Sequence, residues 1–183
     1  MADWQKLSSK IVYENRWLTV YEDQVITPAG NESIYGYMRY RCDVVYVVAI
    51  DAHQNTFLTL QQRYPTGKTN WECPAGFIEN ETVESAAKRE LLEETGMQAD
   101  SIKIMSTVDI ANGVAAIKNN VCLAKDLKKV TNKLDPVDGI IATKKVPLAK
   151  VYDMIINREI VCSQSIAAFY MAGKYLESKD KEQ

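Results

Sequence analysis

Six glutamates crowd a short stretch of this 183-residue chain, between residues 79 and 94. Carboxylates at this density repel one another, so the stretch is best explained if a cation binds among them. A hard divalent metal such as magnesium prefers oxygen ligands and often bridges to the phosphates of a substrate. The stretch, which contains Glu79, Glu81, Glu84, Glu90, Glu93 and Glu94, therefore predicts a metal site for phosphate chemistry.

A helix must hold these carboxylates, and the local sequence encodes one. Thr82 can cap the free amides of a first turn, and Gly96 can end the helix in a left-handed conformation. Val83, Ala87 and Leu91 recur at every fourth position as a stripe suited to burial. The pattern predicts a helix that begins near Thr82 and ends at Gly96.

The spacing of the glutamates on this helix favours a shared rim. Glu90 and Glu94 are four residues apart, which places their Cβ atoms roughly 5–6 Å apart on one face. Glu93 lies beside Glu94 and can join them, while Arg89 can pair with Glu93 across one turn. The alternative is a solvated helix face with an ordinary Arg89–Glu93 pair.

This region resembles the Nudix box, G-x5-E-x7-R-E-U-x-E-E-x-G-U, where U is aliphatic. The run RELLEETGM at residues 89–97, with Glu81 seven residues before it, matches the second half in register. Gly76 matches the opening glycine, but four residues rather than five separate it from Glu81. The resemblance predicts a Nudix-type metal helix preceded by a shortened turn.

A second resemblance narrows the family. QQRYP at residues 61–65 and WECPAG at residues 71–76 resemble the QYRYP…WELPAG pattern of the ADP-ribose and nucleoside-diphosphate-sugar branch. This branch implies an α/β fold, an α/β/α sandwich with a mixed sheet. It also implies an N-terminal antiparallel strand segment at residues 1–42, used in dimerisation and base stacking, before a hydrolase domain at residues 43–183.

The resemblance also implies roles at the metal site. Glu90 and Glu94 are expected to bind Mg²⁺ directly, Glu93 directly or through water, and Ala75 through its carbonyl oxygen, with Mn²⁺ as an alternative ion. Arg89 is expected to hold the helix carboxylates in place. The branch often takes its catalytic base from a glutamate on a late loop, but residues 134–142 contain none. Metal-activated water assisted by Glu93 or Asp138 is the preferred hypothesis, and Asp135 is a further alternative.

Substrate contacts follow from the same resemblance. Arg63 is a candidate to clamp the diphosphate by charge-assisted hydrogen bonds, against the alternative of a surface salt bridge. Glu72 is expected to shape the metal or diphosphate site, or to be purely structural. Trp17 and Tyr35 fall where the branch stacks a nucleobase, although core or dimer packing would also explain them. Arg39 is a candidate to reach a phosphate or ribose across the dimer.

The bulk composition excludes several classes. The net charge of −2 and pI near 5.5 provide no electrostatic footprint for nucleic acid. No apolar run approaches the roughly 18 residues of a membrane span, and the N-terminus lacks the apolar core of a signal peptide. Four scattered cysteines without CxxC spacing are typical of a reduced, cytoplasmic protein. We therefore expect no nucleic acid, no membrane and a cytoplasmic location.

The hydrophobic pattern predicts the elements that must support the site. Helices are expected at residues 148–156 and 163–176, besides the acidic helix. Strands are expected where apolar residues alternate or form short runs between turn signals. They fall at residues 17–27, 34–40, 44–50, 56–61, 102–108, 120–124 and 139–145.

The function hypothesis is Mg²⁺-dependent hydrolysis of the pyrophosphate bond of a nucleoside diphosphate sugar to a nucleoside monophosphate and a sugar phosphate. ADP-ribose-specific members carry a proline about fifteen residues after the box, whereas this chain has none between residues 97 and 135. GDP-mannose or similar nucleotide sugars therefore remain candidates beside ADP-ribose. The alternatives are a house-cleaning hydrolase of nucleoside triphosphates or dinucleotide polyphosphates, and a non-catalytic nucleotide-sugar sensor.

Overall fold

The computed structural model describes residues 3–131 and 139–180, which form two compact units. The smaller unit contains the chain up to Asp43 together with Asp109–Lys118, and the larger unit contains Val44–Val108 and the chain from Asn119 onward. The strands are β1 (Gln5–Glu14), β2 (Leu18–Ile26), β3 (Glu32–Tyr40), β4 (Val44–Ala49), β5 (Asn55–Arg63), β6 (Lys68–Glu72), β7 (Ala75–Phe77), β8 (Met97–Asp109), β9 (Ala115–Ala116), β10 (Lys118–Lys129) and β11 (Ile140–Pro147). The helices are α1 (Val83–Thr95), α2 (Leu148–Ile156) and α3 (Ser163–Asp180).

The smaller unit is a sheet in the order β1-β2-β3-β9. β1, β2 and β3 pair antiparallel, and β9 adds a short parallel pairing to β3. All ten residues of β1 are exposed, and β1 forms one edge of this sheet. The N-terminal antiparallel segment expected from the sequence is therefore present, and no residue of its first strand is buried.

The larger unit is a sandwich built on the sheet β7-β4-β10-β8. β4 pairs parallel with β10 and antiparallel with β7, so the sheet is mixed. Alternate residues of β4 and β10 pack on α1 on one face and on α2 and α3 on the other. A second sheet, β11-β5-β6, carries the strand that ends at Arg63. The predicted α/β/α sandwich with a mixed sheet is confirmed.

Helix α1 forms as its local signals predict. Thr82 is the N-cap, and its Oγ1 accepts a hydrogen bond from the amide of Ser85 at 3.2 Å. Gly96 ends the helix at φ +69, a left-handed conformation that glycine adopts without strain. Ala87 and Leu91 are fully buried against the sheet, and Val83 is partly buried beside them. The start, the end and the buried stripe of this helix are therefore confirmed.

Other elements differ from the sequence expectation in extent or were missed. The helix at residues 148–156 is confirmed, and α3 runs four residues beyond its predicted end. The sequence pattern missed β1, β6, β7 and β9. β1 was missed because a fully exposed strand needs no apolar alternation, whereas β7 and β9 are too short to show one. In the described part of the chain, no helix combines the length and apolarity needed to cross a membrane.

Candidate active site

Arg89 lies at the centre of a cluster of carboxylates. Its Nε and Nη2 donate to Oε1 of Glu81 at 2.9 and 2.7 Å, and its Nη1 donates to Glu90 at 2.7 Å and to Glu93 at 3.0 Å. Nη2 also donates to the carbonyl of Phe77 at 2.9 Å, which ties α1 to the end of β7. The expected Arg89–Glu93 pair is present. One guanidinium therefore gathers three of the six glutamates.

Arg89 keeps its positive charge in this cluster. Burial alone would lower the pKa of Arg89, but the hydrogen bonds and charges of Glu81, Glu90 and Glu93 raise it above its ordinary value overall. The guanidinium therefore stays protonated at any physiological pH. Within the cluster, one positive charge faces three carboxylates, and this balance favours the binding of a further cation.

Glu94 is held separately from the Arg89 cluster. Its side chain is 1% exposed, Oε1 accepts from Nε2 of Gln61 at 2.9 Å, and Oε2 accepts from the amide of Ala75 at 3.2 Å. Ala75 is the residue whose carbonyl oxygen was predicted as a metal ligand. The structure therefore brings two of the four predicted metal ligands into direct contact.

Gly76 gives Glu90 the space it occupies. A Cβ atom at residue 76 would lie 1.9 Å from Oε1 of Glu90, so the carboxylate packs directly on the glycine. Glu90 is 5% exposed. The turn between Gly76 and α1 contains Asn80 in a left-handed conformation at φ +49, and Glu81 still reaches Arg89. The shortened turn therefore preserves the contact of Glu81 with the helix.

The donor set of this region suits a hard divalent cation. Glu90, Glu93, Glu94 and the carbonyl of Ala75 offer only oxygen, the ligand type that magnesium and manganese prefer. Across the described ranges, no group of three or more His, Cys, Asp or Glu side chains is already arranged around one point as a metal cluster. Glu90 and Glu93 accept hydrogen bonds from Arg89, whereas Glu94 accepts from Gln61 and from the amide of Ala75. The oxygen donors suit the ion, and Arg89 would compete with it for the carboxylates of Glu90 and Glu93.

Arg63 and Glu72 form a bidentate pair across the β5–β6 hairpin. Nε and Nη2 of Arg63 donate to the two carboxylate oxygens of Glu72 at 3.1 and 2.8 Å. Burial would lower the pKa of Arg63, but Glu72 raises it overall, so the guanidinium remains charged. Glu72 is itself buried. The pair therefore fixes the plane of the guanidinium at the end of β5, which exceeds what a mobile surface salt bridge would provide.

Tyr35 and Arg39 line a cavity within the smaller unit. The cavity has a volume of about 360 Å³, and Trp4 and Tyr37 contribute to its wall. The Tyr35 hydroxyl donates to the carbonyl of Gly113 at 2.7 Å, and the ring of Trp4 meets Tyr35 edge-on with centroids 5.3 Å apart. Aromatic walls with a nearby guanidinium suit a flat, electron-rich ligand. Trp4 received no role in the sequence analysis, although its aromatic type was a usable signal.

Trp17 lies elsewhere in the same sheet. It sits before β2, where Leu18 pairs with Tyr40, whereas Tyr35 pairs with Asp23. Trp17 precedes Asp23 by six residues, which corresponds to roughly 20 Å along an extended chain. The guanidinium of Arg16 packs 4.1 Å from the centroid of the Trp17 ring. The structure therefore does not bring Trp17 and Tyr35 together within one chain.

Asp138 and Asp135, the alternatives to Glu93 for the catalytic base, lie outside the described residues.

The four cysteines are free. Burial raises the pKa of Cys122 to about 12 and that of Cys73 well above its ordinary value, so neither offers a thiolate nucleophile at neutral pH.

Two family models match successive parts of the chain. Residues 4–38 match the model of the nucleoside diphosphate sugar hydrolase N-terminal domain, and residues 40–161 match the NUDIX domain. An ADP-ribose pyrophosphatase of Mycobacterium tuberculosis is 28% identical over 90% of this chain and 81% of its own length. An ADP-sugar pyrophosphatase of Mus musculus is 26% identical over 96% and 89%, and the ADP compounds hydrolase NudE of Escherichia coli is 25% identical over 96% and 94%.

Structural comparison gives a similar picture of the fold. A crystal structure of an ADP compounds hydrolase superposes with a TM-score of 0.87 at 22% identity, covering 98% of this chain and 97% of that one. At this identity the match shows the fold alone.

Proposed function

This chain belongs to the Nudix family, and from that premise we propose that it hydrolyses the pyrophosphate bond of nucleoside diphosphate sugars to a nucleoside monophosphate and a sugar phosphate. One observation carries the proposal. The Arg89 cluster of Glu81, Glu90 and Glu93 is accompanied on the same helix by buried Glu94, which contacts Ala75. This arrangement concentrates negative charge where a cation and a diphosphate can meet.

The substrate class is supported by both halves of the chain. The N-terminal match is to a nucleoside diphosphate sugar hydrolase domain, and the relatives named above include pyrophosphatases of ADP-ribose and ADP-sugars. We therefore propose ADP-ribose, GDP-mannose or a similar nucleotide sugar as substrate. Residues 43–183 would form the hydrolase domain, and residues 1–42 the segment for dimerisation and base stacking.

A divalent cation, Mg²⁺ with Mn²⁺ as the alternative, would be held by Glu90, Glu94 and the carbonyl oxygen of Ala75, and by Glu93 directly or through water. When bound, such an ion neutralises charge on the diphosphate and makes water more acidic. Arg89 keeps the carboxylates of Glu90 and Glu93 on one side of the helix. Arg89 thereby orients two of the proposed ligands.

Arg63 and Glu93 would act on the reacting groups. Arg63, with its plane fixed by Glu72, would donate to the diphosphate and stabilise the charge that develops as the bond breaks. Glu93, the more exposed of the helix carboxylates near Arg89, would accept the proton of the attacking water, with Asp138 as the alternative base. Water would attack one phosphorus atom while the other phosphate leaves with its oxygen.

The smaller unit would bind the base and a second copy of the chain. Tyr35 would contact the base at this cavity, and Trp17 would stack on a base as a separate platform. Arg39, which lines the same cavity, would reach a phosphate or ribose across the dimer. The exposed edge strand β1 carries large apolar residues, which supports a homodimer formed through this segment. The free cysteines support a cytoplasmic location.

The decisive experiment is product analysis with ADP-ribose, GDP-mannose, UDP-glucose and ADP-glucose in the presence of Mg²⁺. Glu94→Gln should lower kcat by roughly 10³-fold or more, about 4 kcal/mol of transition-state free energy, while the fold is retained. Glu84→Gln, on an exposed position of the same helix, is the matched control and should remain active. Near-normal turnover by Glu94→Gln at saturating Mg²⁺ would refute the ligand assignment. Binding of nucleotide sugars without turnover would identify a sensor, and turnover of nucleoside triphosphates or dinucleotide polyphosphates alone would identify a house-cleaning hydrolase.

A further inference from the structure

Gln61 is a buried polar residue whose environment packing alone does not explain. Its side chain is 1% exposed on β5, in a strand whose other fully buried residues include Leu58. Nε2 donates to Glu94, whereas Oε1 is buried and has no hydrogen-bond partner among the described residues. A buried acceptor without a partner is unfavourable, and a methionine of similar volume would fill the space without that penalty. The amide must therefore serve through the bond that it does make.

That bond controls the position of Glu94. The carboxylate has one oxygen on the Gln61 amide at 2.9 Å and the other on the backbone amide of Ala75 at 3.2 Å. Two donors from different strands, β5 and β7, thus fix both the rotation and the direction of a carboxylate that belongs to α1. Replacement of Gln61 by an apolar residue would remove one of these two hydrogen bonds.

We propose that Gln61 is a positioning residue that orients the Glu94 carboxylate for divalent-cation binding. This inference rests on the proposed metal site, because it assigns Glu94 to the ion. Residues that hydrogen-bond a metal ligand typically change metal affinity by about 10–100-fold when they are replaced. Gln61 would therefore set the metal concentration at which the enzyme works, without touching substrate itself.

The test is a titration with Mn²⁺ alone, followed by electron paramagnetic resonance of the free ion and without any nucleotide. Gln61→Met should raise the Kd for Mn²⁺ by about 10–100-fold. Gln62→Met is the matched control, since Gln62 is the exposed neighbour on the same strand and should bind Mn²⁺ like the wild type. In turnover assays, Gln61→Met should require more metal for half-maximal rate but recover a kcat within a few-fold of wild type at saturating Mn²⁺. If Gln61→Met does not fold, as judged by circular dichroism, Gln61→Asn retains the amide on a shorter side chain and should show a smaller loss of affinity.

A double variant separates positioning from general packing. If Gln61 acts through Glu94, adding Gln61→Met to Glu94→Gln should weaken Mn²⁺ binding no further, whereas a packing defect would add to the loss. Wild-type-like Mn²⁺ affinity in Gln61→Met, with a loss in Glu94→Gln, would overturn this inference alone. A wild-type protein that binds no Mn²⁺ would overturn both the metal site and the inference. Positive Mn²⁺ results with no nucleotide-sugar hydrolysis would support Gln61 while refuting the proposed activity.

Discussion

The acidic residues of α1 and the side chains of the exposed strand β1 differ in how far the chain itself supplies their contacts. At α1, Arg89 binds three carboxylates, whereas Glu94 accepts from the side-chain amide of Gln61 and from the backbone amide of Ala75. Along β1, every residue is exposed, including large apolar ones such as Leu7 and Ile11. The first region is built by one chain alone, whereas the second has apolar side chains that the chain itself does not cover.

This difference indicates where chemistry and where association belong. Preoriented charges are costly to collect and are useful only if a ligand of opposite charge arrives, which supports catalysis at α1. An exposed edge strand with apolar side chains is unfavourable in water and prone to pair with another strand, which supports association through β1. Variants that affect only one of the two regions can therefore break or sharpen this division.

Of the variants that test this division, Gly76→Ala is expected to have the largest effect. The new Cβ would meet the end of the Glu90 side chain, which can move aside, so the carboxylate is displaced while the fold survives. We expect kcat to fall by about 10²-fold or more with little change in Tm, measured by product formation and thermal melting. Gly36→Ala on β3 is the control, because its Cβ would meet only the carbonyl of Tyr21 at 4.0 Å. Full activity in Gly76→Ala would show that the position of Glu90 is not critical for turnover.

The next effect concerns association. The double variant Leu7→Asp/Ile11→Asp places charge on β1 and should weaken a dimer by at least about 100-fold, which would leave a species of 20.7 kDa in sedimentation velocity. Ile156→Asp is the control, since Ile156 is an exposed apolar residue on α2. A wild-type protein that sediments as a monomer, or a double variant that remains dimeric, would contradict the role given to β1.

The smallest effect is expected at the aromatic residues. Tyr35→Ala should raise KM by about tenfold, since stacking of one base is typically worth 1–3 kcal/mol. Tyr35→Phe keeps the ring but loses the hydroxyl bond to Gly113, and should change KM less than Tyr35→Ala. Trp17→Ala should raise KM for every base if its ring stacks on the substrate. An unchanged KM in Trp17→Ala would assign that residue to packing.

Local signals predicted α1 well because they act over a few residues. The Thr82 cap, the Gly96 terminator and the buried stripe each depend on neighbours within one or two turns, and the structure contains all three. The spacing also predicted the Arg89–Glu93 pair. β1 left no comparable pattern, because a strand exposed on both faces is not constrained to alternate apolar and polar residues.

The sequence by itself determined the family, the acidic helix and the residue types of the site, because these are encoded in contiguous, spaced motifs. Only the tertiary structure decided which other residues they contact. It placed Gln61 on Glu94 across 33 positions of sequence and joined Arg63 to Glu72 through the pairing of β5 with β6. The physical reason is that hydrogen bonds between distant strands and a helix depend on the packing and register of the sheets, which no local spacing specifies.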